Sequence, residues 1–364
     1  MLQNESIPEP LKISPFLVFY IVIAMQIGIG ILGYQRIIAK GAGYEAWISV
    51  LFSGLSLHII MWLIYKICST VEGDLVTANI FVFGKKLGKA ISTIFIAYFT
   101  IIAVTTLRTF IEVIQVWMFP EMSIFWYSLA YLLLVIYIIY GGFRTVVGIA
   151  FFGTVLPAYL LLTFAFALKY AKFANMLPLF DHSVVEFLIS AYKMSLTYIG
   201  FEAILLMYPF IKSPEKSKKW AHLAILTTTL IYTVLTIISF AYFSEQQLQK
   251  TIWATLTIWK IVEMPIVERF EYIGIANWNL VILPNICIAV WCASRLIKRI
   301  FSFQQKKNVF LIAIICIIVT ILIETRSQVD FLNTLTSRIG FAFIYVYIPI
   351  LYLSIVIAKK VKKG

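Results

Sequence analysis

Charge is what this sequence has least of. Only 13% of its 364 residues are Asp, Glu, Lys or Arg, against 62% that are hydrophobic, and the mean hydropathy is +0.94. A soluble globular domain does not carry so little polar surface, so a water-soluble enzyme or a nucleic-acid-binding module is excluded. Histidine and cysteine are nearly as scarce. His58, His182 and His222 are scattered along the chain. Cys68, Cys287, Cys292 and Cys316 sit in or at the ends of apolar stretches without a CxxC spacing. That pattern excludes a disulfide framework and a zinc site, and points to buried reduced thiols. No carboxylate cluster has metal-ligand spacing and no catalytic constellation is present, so no enzymatic activity, metal or cofactor is expected.

Acidic residues are also few, 17 against 30 basic ones, giving a formal net charge of +13. The basic residues gather in short loops between apolar runs, so the charge reports membrane topology and no affinity for nucleic acid. What is abundant is the long apolar run. Such runs recur over 13–34, 45–66, 91–118, 124–140, 146–169, 187–211, 220–243, 270–296, 308–324 and 334–358. Each is long enough, or nearly so, to cross a hydrocarbon core of about 30 Å as a helix, and ten spans are expected. The first lacks a basic leader and is too long for a cleaved signal peptide, so it reads as a true span. With the N-terminus inside, the inner loops receive the clusters Lys85, Lys86 and Lys89, Lys212 to Lys219, Arg295 to Lys307, and Lys359 to Lys363. The outer loops receive about half as many basic residues, so the positive-inside rule places both termini in the cytoplasm. Residues 74–89 suit a short interfacial helix on the inner face, and 245–266 an amphipathic lid on the outer face, each either a plain anchor or a moving part. The whole chain is read as one membrane domain.

Glycine is placed with intent. Residues 25–36 read MQIGIGILGYQR, with Gly28, Gly30 and Gly33 inside the first apolar run. Each glycine costs a helix roughly 1 kcal/mol against alanine. Close packing against a neighbour is one explanation, and a broken helix whose freed backbone lines a ligand site is the other. The sixth run, AYKMSLTYIGFEAILLMYPF, carries Gly200 near its middle, Glu202 two residues on and Pro209 near its end. Interruptions at matching places in two halves of five favour paired breaks and a 5+5 inverted repeat, with halves near 13–169 and 187–358. GIGILG follows no strand, so it is not a dinucleotide-binding loop.

Polar groups at membrane depth mark candidate contacts. A carboxylate such as Glu202 costs about 2.5–3.5 kcal/mol near the bilayer centre. It is either a proton or ammonium site or a packing residue. Arg108 and Glu112 lie four apart on one helix face and are expected to pair. Asn285, beside Pro284, offers an amide for an interhelical bond or a ligand.

Three stretches taken together resemble the B subunits of spore germinant receptors: GIGILGYQRIIAKGAGYEAWISVL (28–51), YIGFEAILLMYPFI (198–211) and TIWATLTIWKIVEMPIVERFE (251–271). The resemblance runs over essentially the whole chain. Where that family often has proline, in GxGxLxxPR and TIWP, this sequence has Gln35 and Ala254. The resemblance implies an all-α fold of the leucine-transporter type, within the amino acid–polyamine–organocation superfamily, with helices 1 and 6 broken. It implies a nutrient sensor in the inner membrane of a bacterial spore. Such a sensor binds a small germinant (an amino acid, or a nucleoside or sugar) and works with a channel-forming A subunit and a C-subunit lipoprotein. Carried onto this chain, the superfamily's ligand site selects Gly28, Ile29, Gly30, Tyr98, Ile102, Ile199, Gly200, Glu202, Asn285 and Ala289. A free-standing proton-coupled amino-acid permease is the other function the same fold serves.

Overall fold

The computed structural model describes residues 7–263 and 268–361, and among these every regular element is helical. Lys362, Lys363 and the 264–266 end of the expected lid lie outside the described residues. The helices are α1 (Leu17–Gln26), α2 (Tyr34–Ala42), α3 (Ala46–Val71), α4 (Leu75–Trp117), α5 (Ile124–Tyr140) and α6 (Phe143–Val155), the last continuing as tighter turns to Tyr170. After them come α7 (Val184–Lys193), α8 (Ser195–Tyr198), α9 (Ile204–Met207), α10 (Pro214–Tyr242), α11 (Glu245–Lys250) and α12 (Ala254–Trp259). The chain ends with α13 (Phe270–Phe301), α14 (Gln305–Leu322), α15 (Arg326–Ala342) and α16 (Ile348–Val361). Among the described residues seven helices are long and apolar enough to cross a membrane, and three further apolar helices are shorter: Leu17–Gln26, Ile124–Tyr140 and Phe201–Phe210. Two of those three belong to the interrupted runs.

The helices stop and start where local chemistry requires it. Asp74 caps α4 by accepting from the Thr77 amide (2.9 Å). Capping boxes at Ser183/Glu186, Ser244/Gln247 and Thr325/Gln328 open α7, α11 and α15, each satisfying amides that a helix start leaves bare. Inside α4 the backbone departs from helix at Gly84 (φ 76°, ψ 174°), where a side chain is disfavoured. The kink separates a short helix ending at Phe83 from the long crossing, so a separate short helix is present as expected. It stops six residues before the expected bound at 89 and buries Leu75, Val76, Ala78, Asn79 and Ile80 in the protein.

The core is built round α13. In its most apolar 18-residue window 94% is buried, and α13 packs chiefly against α4, with α6 and α14 beside it. Gly153 of α6 lets that helix press against the Leu280 carbonyl, which the ring of Pro284 leaves without its in-helix donor. Large apolar side chains such as Phe52, Ile59, Tyr137 and Leu162 form the exposed rim, as a lipid-facing surface requires. All four cysteines are buried free thiols.

Two strands of the chain meet at one end of the molecule. The Ile13 amide donates to the Phe210 carbonyl (2.8 Å) and the Lys212 amide to the Ile13 carbonyl (2.9 Å). The residues just before α1 are thereby joined to those just after α9.

Candidate ligand site between two broken helices

Both interruptions expected from the glycines are present. Helix α1 ends at Gln26, one tight turn spans Gly30–Leu32, and α2 begins at Tyr34. In the second run the chain leaves α8 at Tyr198, turns through Gly200 in the left-handed region (φ 107°) and resumes at Phe201. The two breaks face each other. A Cβ on Gly200 would meet Met25, and one on Gly30 would lie 3.2 Å from the Thr197 backbone. At Gly200 the positive φ and the closeness of Met25 call for glycine, and at Gly30 a side chain would need Thr197 to give way slightly.

Most carbonyls freed by the first break already have donors. Asn285 Nδ2 donates to Ala24 (2.5 Å), the Tyr232 hydroxyl to Gln26 (2.7 Å), Trp278 Nε1 to Gly28 (3.2 Å) and the Thr255 hydroxyl to Ile31 (2.6 Å). The amides fare differently. Among the described residues the N–H groups of Gly28 and Ile29 meet no acceptor. Neither side-chain atom of Gln26, which is 1% exposed, has a partner. A buried amide left so costs about 1–3 kcal/mol.

A small cavity of about 30 Å³ lies at this junction. Of the residues expected from sequence, Gly28, Ile29, Gly30, Ile102, Ile199 and Asn285 line it. Tyr98, Gly200, Glu202 and Ala289 are buried but are not part of its wall. Three of those four brace the second break from behind. Glu202 Oε2 accepts from the Gly200 amide (2.8 Å), and Oε1 accepts a short hydrogen bond from the Tyr98 hydroxyl. The carboxylate thus sits at a half-helix N-terminus, where negative charge is favoured. Ala289 lies one turn along α13 from Asn285, fully buried.

The wall also holds residues the sequence reading missed: Met25, Gln26, Thr105, Thr106, Thr197 and Thr336. Thr105 and Thr336 share a hydrogen bond (2.6 Å) that ties α4 to α15. Gln26 carries the same signal that singled out Asn285, an amide at membrane depth beside a helix break, and so was accessible to the same reasoning. The threonines gave no signal, since threonine in a membrane helix also bonds its own backbone.

Two expectations need correction. Arg108 and Glu112 do not pair. Arg108 donates to the carbonyls of Ile323 (2.5 Å) and Glu324 (3.0 Å), and Glu112 accepts from Arg326 (2.6 Å). Arginine preceding glutamate is the weaker order for such a pair, and the carbonyls at the end of α14 need donors. The expected surface lid is exposed over α11 apart from Leu248, but its second part is internal. Leu256, Ile258 and Trp259 of α12 are buried, and Trp259 Nε1 donates to Thr163 (3.1 Å). Gln35 Nε2 donates to Thr255 Oγ1 (2.8 Å), so the two positions that depart from the proline pattern, Gln35 and Ala254, are brought together beside the first break.

A multi-pass helical membrane protein with two broken helices round a buried polar pocket has the architecture of a solute transporter. The same fold is found in a Na⁺-coupled sialic acid symporter in its substrate-bound outward-open state, with a TM-score of 0.66 at 13% identity over 94% of this chain and 79% of that one. It is found again in MhsT in complex with L-phenylalanine, with a TM-score of 0.62 at 12% identity over 94% and 98% of the two chains. Within that architecture the chain belongs to the spore germination protein family, which it matches over residues 12–329. It is 43% identical over 349 residues to spore germination protein GerQB of Bacillus cereus, covering 96% of this chain and 97% of that protein. Spore germination protein A2 of Bacillus subtilis strain 168 is 22% identical over 360 residues, covering 96% and 97%. The family is not an enzymatic one.

Proposed function

We propose that this chain is the nutrient-sensing subunit of a spore germination receptor. It binds a small germinant, in the first instance an amino acid, between its two helix breaks and signals to a channel-forming partner subunit. The reading places it in the spore inner membrane with ten crossings and both termini cytoplasmic. Its halves, about 13–169 and 187–358, form an inverted repeat, and it assembles with a receptor A subunit and a C-subunit lipoprotein. The carrying observation is the pair of bare amides at Gly28 and Ile29 beside the partnerless Gln26 side chain. Bare N–H groups suit a carboxylate, while Gln26 Oε1 suits an ammonium, and Ile102 and Ile199 would size the side chain. Tyr98, Gly200, Glu202 and Ala289 back that wall.

A cavity of about 30 Å³ has room for a water or two and no amino acid. An amino acid enters only if the walls part, and in this reading that displacement is the message passed to the partner. The MhsT complex with L-phenylalanine lends the ligand class by analogy of fold alone. The rival function, a free-standing proton-coupled permease, is tested by reconstituting the purified chain alone in proteoliposomes. Saturable amino-acid binding without concentrative uptake under a pH gradient is expected. Gradient-driven accumulation would make the protein a permease.

A further inference from the structure

Beyond the inner junction lies a second, wider cavity of about 380 Å³, bounded by α2, α7, α15 and the loop before α12. It shares Ile29 and Gly30 with the inner cavity, so it is the approach to that site from the α11–α12 end. Its apolar wall includes Ile37, Ile252 and Trp253, but its charge is one-sided. Five cations line it: Arg36, Lys40, Lys193, Arg326 and Arg338. Its single carboxylate, Asp330, is taken by Arg326 (2.7 Å), which also holds Glu112 (2.6 Å). Among the described residues Arg36, Lys40, Lys193 and Arg338 form no ion pair, and Nε of Arg36 is buried without a partner.

That arrangement sets like charges against one another. Arg36 and Lys40 are one helical turn apart on the same face, and like charges so placed repel. Lys40 and Lys193, brought together from different helices, repel as well. Four cations converging on one concave, partly apolar space raise the local concentration of anions. Guanidinium and ammonium groups together match carboxylate or phosphate oxygens through charge-assisted hydrogen bonds.

We propose that this outer cavity is a distinct binding site for a small multivalent oxyanion, a di- or tricarboxylate or a phosphate ester. A single carboxylate would leave at least two of the cations uncompensated, whereas a multivalent anion answers the set. A phospholipid headgroup offers the same chemistry from a different source, and the test separates the two. The proposal does not depend on the receptor reading, because the site is defined by its own charges.

The test is calorimetric titration of the purified full chain in a phosphate-free maltoside detergent, with citrate as the probe at constant ionic strength. Saturable one-site binding is expected, weakened about tenfold by Lys193→Gln or Arg338→Gln and further by Lys40→Gln/Lys193→Gln. Neutralising these residues relieves repulsion, so the melting temperature without citrate should hold or rise while the citrate-induced increase disappears. Unchanged affinity in the double variant, or equal binding of chloride, would overturn the site. Citrate binding that vanishes in nanodiscs containing phosphatidylglycerol but persists in those with uncharged lipid would overturn the soluble ligand and assign the cavity to headgroup phosphate.

Discussion

Gln26 is fully enclosed with both ends of its amide unmatched, in a protein that otherwise supplies donors to its broken backbone. The arrangement is uneconomical for folding, and under the proposed function it would serve recognition. Replacing it by leucine removes a desolvation cost of about 1–3 kcal/mol. Gln26→Leu should therefore raise or preserve the melting temperature of the purified chain while abolishing amino-acid binding and germination in spores that carry it. Loss of both together would make Gln26 a packing residue. Glu202 plays another part. Its carboxylate takes the Gly200 amide and the Tyr98 hydroxyl, so it holds the shape of the break. Glu202→Gln keeps the size but turns one acceptor oxygen into a donor, which then faces either a hydroxyl or an N–H. We expect normal abundance by immunoblot with a several-fold loss of nutrient sensitivity, whereas undiminished sensitivity would show that the charge is dispensable.

At the scale of elements, the interruptions define the protein, and each is set by one or two glycines. Gly84 is instructive because nothing lies within 4 Å of where its side chain would be. Gly84→Ala therefore meets backbone strain alone, about 1–3 kcal/mol at this φ and ψ. A melting temperature lowered without loss of ligand affinity is the expected result, and no change would mean that the kink straightens freely. The elements were largely legible in the sequence, because apolar length and glycine position are local properties. Gly28, Gly30 and Gly200 announced the breaks, and the family resemblance supplied half of the cavity wall. What was not legible came from distant partners. Arg108 turns away from Glu112 toward carbonyls some 215 positions along the chain, and no helical spacing encodes that meeting. The burial of α12 was hidden likewise, because Trp253, Trp259 and Lys260 read as surface anchors, whereas Trp259 bonds Thr163 and the nearby Thr255 bonds Gln35 in the interior.

For the molecule as a whole, the end near Ile13 is held shut by contacts of unequal kind. Arg299 grips Asp74 through two nitrogens (2.8 and 3.2 Å), joining the start of α4 to the end of α13. Burial alone would push the Asp74 carboxyl up, but Arg299 and Thr77 together hold it below the usual carboxylate range. A folded-state value below the unfolded one adds stability above about pH 4 that is lost as pH falls through the folded value. Unfolding in detergent should steepen in acid over that window. Asp74→Asn should flatten the pH response and cost about 3–5 kcal/mol at neutral pH. An unaltered pH profile in the variant would show that another carboxylate governs acid sensitivity. Beside this clamp lies the backbone stitch from Ile13 to Phe210 and Lys212. It yokes the two interrupted helices at one end while their breaks oppose each other further along, like the prongs of a tuning fork joined at the stem. Prongs so joined are spread at the tips by a wedge and cannot slide past one another, so under the proposed function a solute entering between the breaks would drive a sideways stroke whose amplitude grows with distance from Ile13.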